Sequence, residues 1–442
     1  MVMHLHEDST VYDVIVIGGG VVGLAVLRAA TLKGWNCVLV ESEKDLLTQA
    51  SGSNSGIVCT GVDATPGSLE RALIRDSIAQ FRVYCQAHNI PIRPCGSLVC
   101  LWPWDDEDKL DEVLQESHSA GDVHAQRWTK EQVLTEEPNL SKSCQGAVWI
   151  PGEIVVDPWL YAISLGIHAR ENGAKIVTNF RVDGSASSFQ DGIWTIRRTI
   201  DGDSSLEIPL EFHAKSVVNA AGTYADLVHA QTHGSVPWAS RPRRGQYQIY
   251  KASATSTITH PIQPVPTQYS KGIFVFTTLY DQLVVGPTAL DQESRTDRRA
   301  DPQVAEQLDS YIQRIIPDLD SKSAHLGEYV GIRPGTDQRD YQISLLPMKN
   351  WVTVAGIRST GLTASLGIGD YVVRLLASIL ESPSLQKKPI HTTPMPPLSD
   401  LIHDFQNSFH TSHGFVEIQG HSYRVTHPLT WFGWKHTHQR LT

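Results

Sequence analysis

Residues 12–41 begin Tyr-Asp-Val-Ile-Val-Ile-Gly-Gly-Gly-Val-Val-Gly, continue through a helical stretch that stops at Lys33-Gly34, and end Asn-Cys-Val-Leu-Val-Glu. An apolar strand therefore runs into Gly18-x-Gly20-x-x-Gly23, then a helix, then a second apolar strand closed by Glu41. This spacing is that of a dinucleotide-binding βαβ unit. Gly18 permits the tight turn, Gly20 lets backbone approach a pyrophosphate, and Gly23 lets helix and strand pack closely. The helix N-terminus offers free N–H groups to phosphate. Glu41 is placed to accept hydrogen bonds from an adenosine ribose and would repel a 2′-phosphate, which argues against NADP.

Working outward, 442 residues allow two or three domains with a sizeable core. A formal net charge of -10 without a long basic run makes nucleic acid an unfavourable partner. The six cysteines form no CxxC pair and read as reduced, mostly packed thiols. No stretch approaches a membrane span, and residues 1–11 lack the features of a signal or transit peptide. A cytoplasmic enzyme is the expectation, with no transmembrane segment.

Helices are expected over Gly67–Ala87, Asp105–Ala120, Pro158–Gly173, Pro302–Ile316 and Gly367–Leu380, with Asp157-Pro158 as a helix start. β runs are expected at Ser97–Leu101, Lys175–Asn179, Ile193–Arg197 and Ser216–Asn219. Residues 244–290 read as all-β, with Gln246–Tyr250, Gly272–Thr277 and Gln282–Gly286 as strands. The expected fold class is α/β: a discontinuous Rossmann-like dinucleotide-binding domain (11–90, 145–235 and 325–385) with an α+β substrate domain on an antiparallel sheet (91–144 and 236–324). Residues 386–442 form a C-terminal extension, with a hairpin expected around Gln419-Gly420-His421. Its histidines, including His410-x-x-His413 and His436-x-His438, lack an accompanying cysteine or acidic cluster and read as packed or solvated rather than metal-binding. A cap over the active site or a dimer contact is the expectation for this segment.

Three further segments favour FAD over NAD. Ser51, Ser53, Asn54 and Ser55 belong to a loop dense in small hydroxyl and amide residues, directly after Glu41. Val217-Val218-Asn219-Ala220-Ala221-Gly222 is a buried strand ending in small residues. Thr353–Thr363 feeds a strand through Arg358, Ser359 and Thr360 into a helix whose first residues are Gly361, Leu362 and Thr363. Such a helix end suits the electron-rich N1/O2 side of a reduced flavin.

These segments resemble the FAD-dependent oxidoreductases of the D-amino-acid oxidase superfamily. Arg243-Arg244-Gly245-Gln246-Tyr247, Val265-Pro266-Thr267, Lys271-Gly272, Gly286-Pro287-Thr288-Ala289 and Gly331-Ile332-Arg333-Pro334 resemble most its glycerol-3-phosphate oxidase group, with the L-2-hydroxyglutarate oxidases as near neighbours. The resemblance spans about Val11 to Ser382. It implies bound FAD, with Val22, Ser42, Val182, Ala221 and Gly222 among its contacts. It also implies a small anionic substrate, glycerol 3-phosphate by preference, and oxygen or a quinone as electron acceptor. Alternatives on the same fold are a 2-hydroxy acid, an amino acid or amine, or a flavin-bound scaffold without turnover.

The resemblance places Arg333 and Lys271 at the substrate, with Ser359 or Arg358 able to donate to phosphate or flavin. A guanidinium grips oxyanions through paired hydrogen bonds; the alternative for Arg333 is a salt bridge to Asp337 or Asp340. Cys59 is the main departure. The family loop reads Asn-Ser-Gly, two apolar residues, then a histidine thought to act as base. Cys59 could act as a thiolate, form a thioether to the flavin, or pack, the commonest fate of a buried cysteine. His88, His168 and His325 are alternative sources of a base.

Overall fold

The structure, a computed structural model, describes residues 9–199, 208–266, 272–380, 389–408 and 414–437. Lys271, His410, His413 and His438 lie outside the described residues.

The strand Val11–Ile17 ends in four consecutive buried residues, as expected for a strand covered on both faces. It pairs in parallel with Cys37–Val40 on one side (Val14 opposite Cys37) and with Glu211–Asn219 on the other (Val16 opposite Val218). Lys175–Val177 extends this parallel array beyond Cys37–Val40, and Trp351–Ala355 extends it beyond Val217–Asn219. The first half of Glu211–Asn219 instead pairs antiparallel with Ile193–Arg198, which forms a hairpin with Val182–Gln190. Gln342–Leu346 completes an eight-stranded sheet. The helices Val21–Leu32, Pro158–Glu171 and Gly361–Leu376 cover one face and bury Leu24, Leu27, Leu160, Ile163, Leu362 and Ile368.

A second, nine-stranded sheet is built around Arg243–Lys251, which pairs antiparallel with Gln282–Gly286 and with His325–Arg333. Phe274–Thr277, Ile262–Pro264, Ser97–Leu101, Gly146–Ile150 and Gln126–Thr129 follow in order. All pairings are antiparallel except that of Ile262–Pro264 with Ser97–Leu101. The amphipathic helix Pro302–Ile315 packs Leu308, Ile312 and Ile315 against Leu98, Tyr250 and Leu283 of this sheet. Gly146–Ile150 and His325–Arg333 are hydrogen-bonded into it, although they fall in segments 145–235 and 325–385 assigned above to the cofactor part. A small antiparallel sheet of Ile57–Val58, Ile154–Val156 and Ile92–Arg93 lies between the two large ones in sequence.

The helix expected over Gly367–Leu380 runs instead over Gly361–Leu376. Its first turn and a half, Gly361-Leu362-Thr363-Ala364-Ser365, holds a single large apolar residue, so its apolar periodicity starts late. The helix expected from Asp105 starts at Lys109, because Asp105 accepts a hydrogen bond from the Trp102 amide and holds a turn. The expected C-terminal hairpin pairs Phe415–Ile418 with His421–Arg424 around Gln419 and Gly420, both at positive φ, the geometry of a two-residue hairpin turn.

None of the described residues of that extension lines the cavity described below, against the expected cap. The extension packs behind the loop that follows Glu41. Thr426 Oγ1 donates to the carbonyls of Leu46 and Leu47 at 3.2 Å, and Thr430 Oγ1 donates to Asp157 Oδ1 at 2.8 Å. Trp434, fully buried, meets Trp159 and Phe405 edge-on. Apolar residues Met395, Leu401, Ile402, Phe405, Val416 and Ile418 have merged with the main core, which leaves none of that surface to cover a substrate.

Candidate active site

Gly18 sits at φ +112, and a Cβ there would lie 2.5 Å from the Ala220 carbonyl oxygen. A Cβ on Gly23 would lie 1.9 Å from the Gly18 oxygen, so only glycine lets the helix start this close to the strand. Gly20 caps the helix without a side-chain bond, and the Val21 amide donates to Ser51 Oγ at 2.9 Å. Glu41 is buried; it accepts from the Gly19 amide at 2.5 Å and, through its other oxygen, from Ser42 Oγ at 3.0 Å and the Glu43 amide at 2.9 Å. Its carboxylate is thus held rigidly at the end of the second strand.

The loop after Glu41 is a short 3₁₀ turn, Ala50–Ser53, closed by Asn54. Asn54 Nδ2 donates to the Ser51 carbonyl at 2.8 Å, its Oδ1 accepts from the Gly56 amide at 2.9 Å, and Tyr329 Oη donates to its carbonyl at 3.0 Å. Asn219 ties down the third segment: its Nδ2 donates to the Ala225 carbonyl at 2.8 Å and its Oδ1 accepts from the Ala221 amide at 3.3 Å.

The helix Gly361–Leu376 begins at the same place. Its N-cap, Thr360, does not cap it, because the Thr360 hydroxyl donates to buried Glu70 at 2.7 Å and lies 2.6 Å from Tyr341 Oη. Glu70 also pairs with Arg358, which holds the turn before the helix. The first-turn amides of Gly361, Leu362 and Thr363 have no partner within the helix and are available to a ligand.

All of this surrounds one cavity of about 1230 Å³. Gly18, Gly20, Val22, Glu41, Ser42, Ser51, Ser53, Asn54, Ser55, Val182, Ala221, Gly222, Gly361, Leu362 and Thr363 line it, as do Cys59, Arg333 and Ser359. Gly23 does not; its part is the close approach behind the turn. Lys271 lies outside the described residues, and its neighbour Gly272 lines the cavity.

At the far end, Arg333 closes the strand His325–Arg333 opposite Arg243. Its Nη2 donates to the Thr288 carbonyl at 3.0 Å, and its guanidinium lies against Tyr247. Burial pulls its pKa down, and burial raises that of Tyr247 against the pull of the adjacent guanidinium. The expected alternative partners are occupied: Asp337 accepts from the Ala239 amide, and Asp340 caps the helix at Leu69 and Glu70. No carboxylate among the described residues forms an ion pair with Arg333. Cys59 packs on the main core; its amide donates to Thr363 Oγ1 at 3.2 Å and its Sγ lies 3.7 Å from the same oxygen.

No described histidine lines the cavity. The rings of His88 and His168 meet at a tilt, 4.3 Å apart, beneath the extension, and burial pushes their pKa values down to about 3 and about 4. His325 hydrogen-bonds Gln248 at 2.7 Å. These three therefore do not supply a base. The cavity walls do hold groups that the sequence reading passed over: Glu70, Tyr247, Glu153 and Gln263. Glu70 reads as a favourable acid in a helix first turn and Glu153 as a turn residue, and a single chain offers no signal that either faces a cavity.

A strand–turn–helix whose backbone admits a pyrophosphate, a buried ribose acceptor and a second helix N-terminus on one cavity fit FAD. Residues 13–375 match the family described as FAD dependent oxidoreductase, and the chain belongs to that family. It is a flavoenzyme that uses FAD. It is 29% identical over 379 residues to a glycerol 3-phosphate dehydrogenase of Caloramator mitchellensis, covering 85% of this chain and 76% of that protein. It is 28% identical over 260 residues to a mitochondrial L-2-hydroxyglutarate dehydrogenase of Caenorhabditis briggsae, covering 58% of each chain. Among solved structures, the dithionite-reduced L-alpha-glycerophosphate oxidase of Mycoplasma pneumoniae with FAD bound superposes with a TM-score of 0.77 at 26% identity, over 86% of this chain and 98% of that one. Among the described residues no helix is long and apolar enough to cross a membrane, and no cluster of metal-ligating side chains occurs.

Proposed function

We propose that this flavoenzyme oxidises a small anionic alcohol, glycerol 3-phosphate first among them. The observation that supports this most is Arg333: a half-buried guanidinium at the cavity wall, without a carboxylate partner among the described residues, beside a tyrosine hydroxyl. A cation desolvated in this way gains most from an anion that brings its own charge. Bound FAD supplies two-electron redox chemistry, taking a hydride from a carbon that bears a hydroxyl or amine. The protein's part is to hold the anion at Arg333, aim that carbon at the flavin, exclude water and take up a proton. Gly18, Gly20, Ser51 and Glu41 would hold the adenosine diphosphate. The Gly361–Thr363 amides would hold the pyrimidine side of the flavin. Ser359, which lines the same cavity, would be a further donor to flavin or anion, and Lys271 is proposed as a second cation at the substrate.

A 2-hydroxy acid is the second reading, because a guanidinium takes a carboxylate as readily as a phosphate and the L-2-hydroxyglutarate dehydrogenases are among the relatives. Oxygen or a quinone would reoxidise the flavin. Purified holoprotein mixed anaerobically with glycerol 3-phosphate, L-2-hydroxyglutarate and a set of amino acids tests the proposal. Bleaching by glycerol 3-phosphate is expected. Bleaching by amino acids alone would reject an alcohol substrate.

A further inference from the structure

We infer that the carboxylate of Glu153 takes up the hydroxyl proton in this enzyme, the part for which the cavity has no described histidine. The inference rests on the alcohol-oxidising function proposed above.

Ile57–Val58 and Ile154–Val156 pair antiparallel, with Ile57 opposite Val155 and Val58 opposite Ile154. One step further, Cys59 stands opposite Glu153. The strands stay together for another step, because a Cβ on Gly152 would lie 2.6 Å from Thr60 Cγ2. Residues directly opposite in an antiparallel pair project from the same face. Cys59 and Glu153 therefore share a face, and both line the cavity.

The side chain is also held for such work. Glu153 is 2% exposed, so its carboxylate is removed from bulk water. Gln263 Nε2 donates to its Oε2 at 2.7 Å, which fixes the plane of the carboxylate. Its carbonyl accepts from the Gly96 amide at 3.0 Å, which pins the backbone. A carboxylate that faces a substrate hydroxyl across a cavity can act as its general base. Cys59 is the weaker candidate: its Sγ faces the Thr363 hydroxyl.

The step balances as follows. The substrate O–H bond breaks and its proton bonds to the Glu153 carboxylate. The adjacent C–H bond breaks and its hydrogen leaves with both electrons to bound FAD. The alcohol becomes a ketone, and oxygen or a quinone later removes the electron pair. The protonated Glu153 returns its proton to water once product leaves.

E153Q tests this, because it keeps size and hydrogen bonding but cannot take a proton. With FAD still bound, reduced normally by dithionite, and with unchanged affinity for dihydroxyacetone phosphate, its anaerobic reduction by glycerol 3-phosphate should fall about 10²–10⁴-fold, the usual share of general base catalysis. Adding C59H to E153Q should restore much of the rate, since it returns a base to the same face. An E153Q rate at saturating substrate within threefold of wild type, roughly 0.6 kcal/mol by RT ln 3, would overturn the proposal. So would weakened product binding with an unchanged saturated rate, which would make Glu153 a positioning residue for Gln263. If E153Q does not retain FAD, E153D decides: at least a tenfold slower reduction by substrate with normal dithionite reduction is expected, and a wild-type rate would overturn the assignment. A wild-type protein that no alcohol bleaches would instead reject the alcohol reading itself.

Discussion

At the Glu41 end of the cavity the groups on offer are backbone amides and one acid from a single continuous unit, residues 12–41. At the Arg333 end they are side chains from distant segments: Cys59, Glu153, Gln263, Arg333 and Ser359. The first end tolerates little change in geometry, since Gly18 and Gly23 stand where a methyl group would overlap backbone. The second tolerates shape changes but depends on charge. One end decides whether the cofactor is held at all, and the other decides what is oxidised.

This difference can be broken in graded steps. The largest expected effect is at Gly23. G23A would force a Cβ to within 1.9 Å of the Gly18 oxygen, so the helix must shift and the pyrophosphate turn with it. The expected result is apoprotein, read as loss of the flavin's visible absorbance on purification. A yellow G23A protein with wild-type flavin content would contradict the account of that turn.

W434A comes next. Truncating a fully buried tryptophan costs about 3–5 kcal/mol. Because Trp434 packs on Trp159 behind the Ala50–Ser53 loop, the melting temperature should fall and FAD should dissociate more readily. Unchanged values of both would detach the extension from the cofactor site.

R333A probes the other end. FAD should remain, while loss of a charged hydrogen-bonding group of about 1.5–3 kcal/mol raises the glycerol 3-phosphate Kd roughly 10- to 150-fold. Weakened FAD binding with unchanged substrate affinity would invert the assignment.

The smallest effect concerns pH. His427, fully buried, caps the last helix by accepting the Leu429 amide at Nδ1, and burial pushes it down to about 3. The unfolded chain takes up that proton near pH 6.5. Between about 6.5 and 3 the unfolded state binds more protons, so stability is intact above this window and falls as pH drops through it, by at most about 1.4 kcal/mol per unit. Denaturant unfolding of wild type and H427N at two pH values checks this; H427N should show the shallower dependence, and equal slopes would reject it.

The same contrast explains what the sequence disclosed. The glycine spacing, the strand after it and Glu41 are local features, each with a local signature, so the cofactor end was legible from the chain alone. Arg333 was legible only because its surrounding segment resembles a family. Glu153 was not, because its significance comes from a strand register between Ile57–Val58 and Ile154–Val156, and pairing across nearly a hundred residues leaves no periodicity to read. The cap expected of the extension was not legible either, because which core its apolar residues join is decided by tertiary packing rather than by local pattern.

The central claim is that Arg333 selects an anionic alcohol for the flavin. The most direct measurement compares anaerobic flavin reduction by glycerol 3-phosphate and by uncharged glycerol, in wild type and R333A. The account predicts that wild type strongly prefers the phosphate and that R333A loses most of that preference. Equal reduction by the two alcohols in wild type, or a preference that survives in R333A, would contradict it.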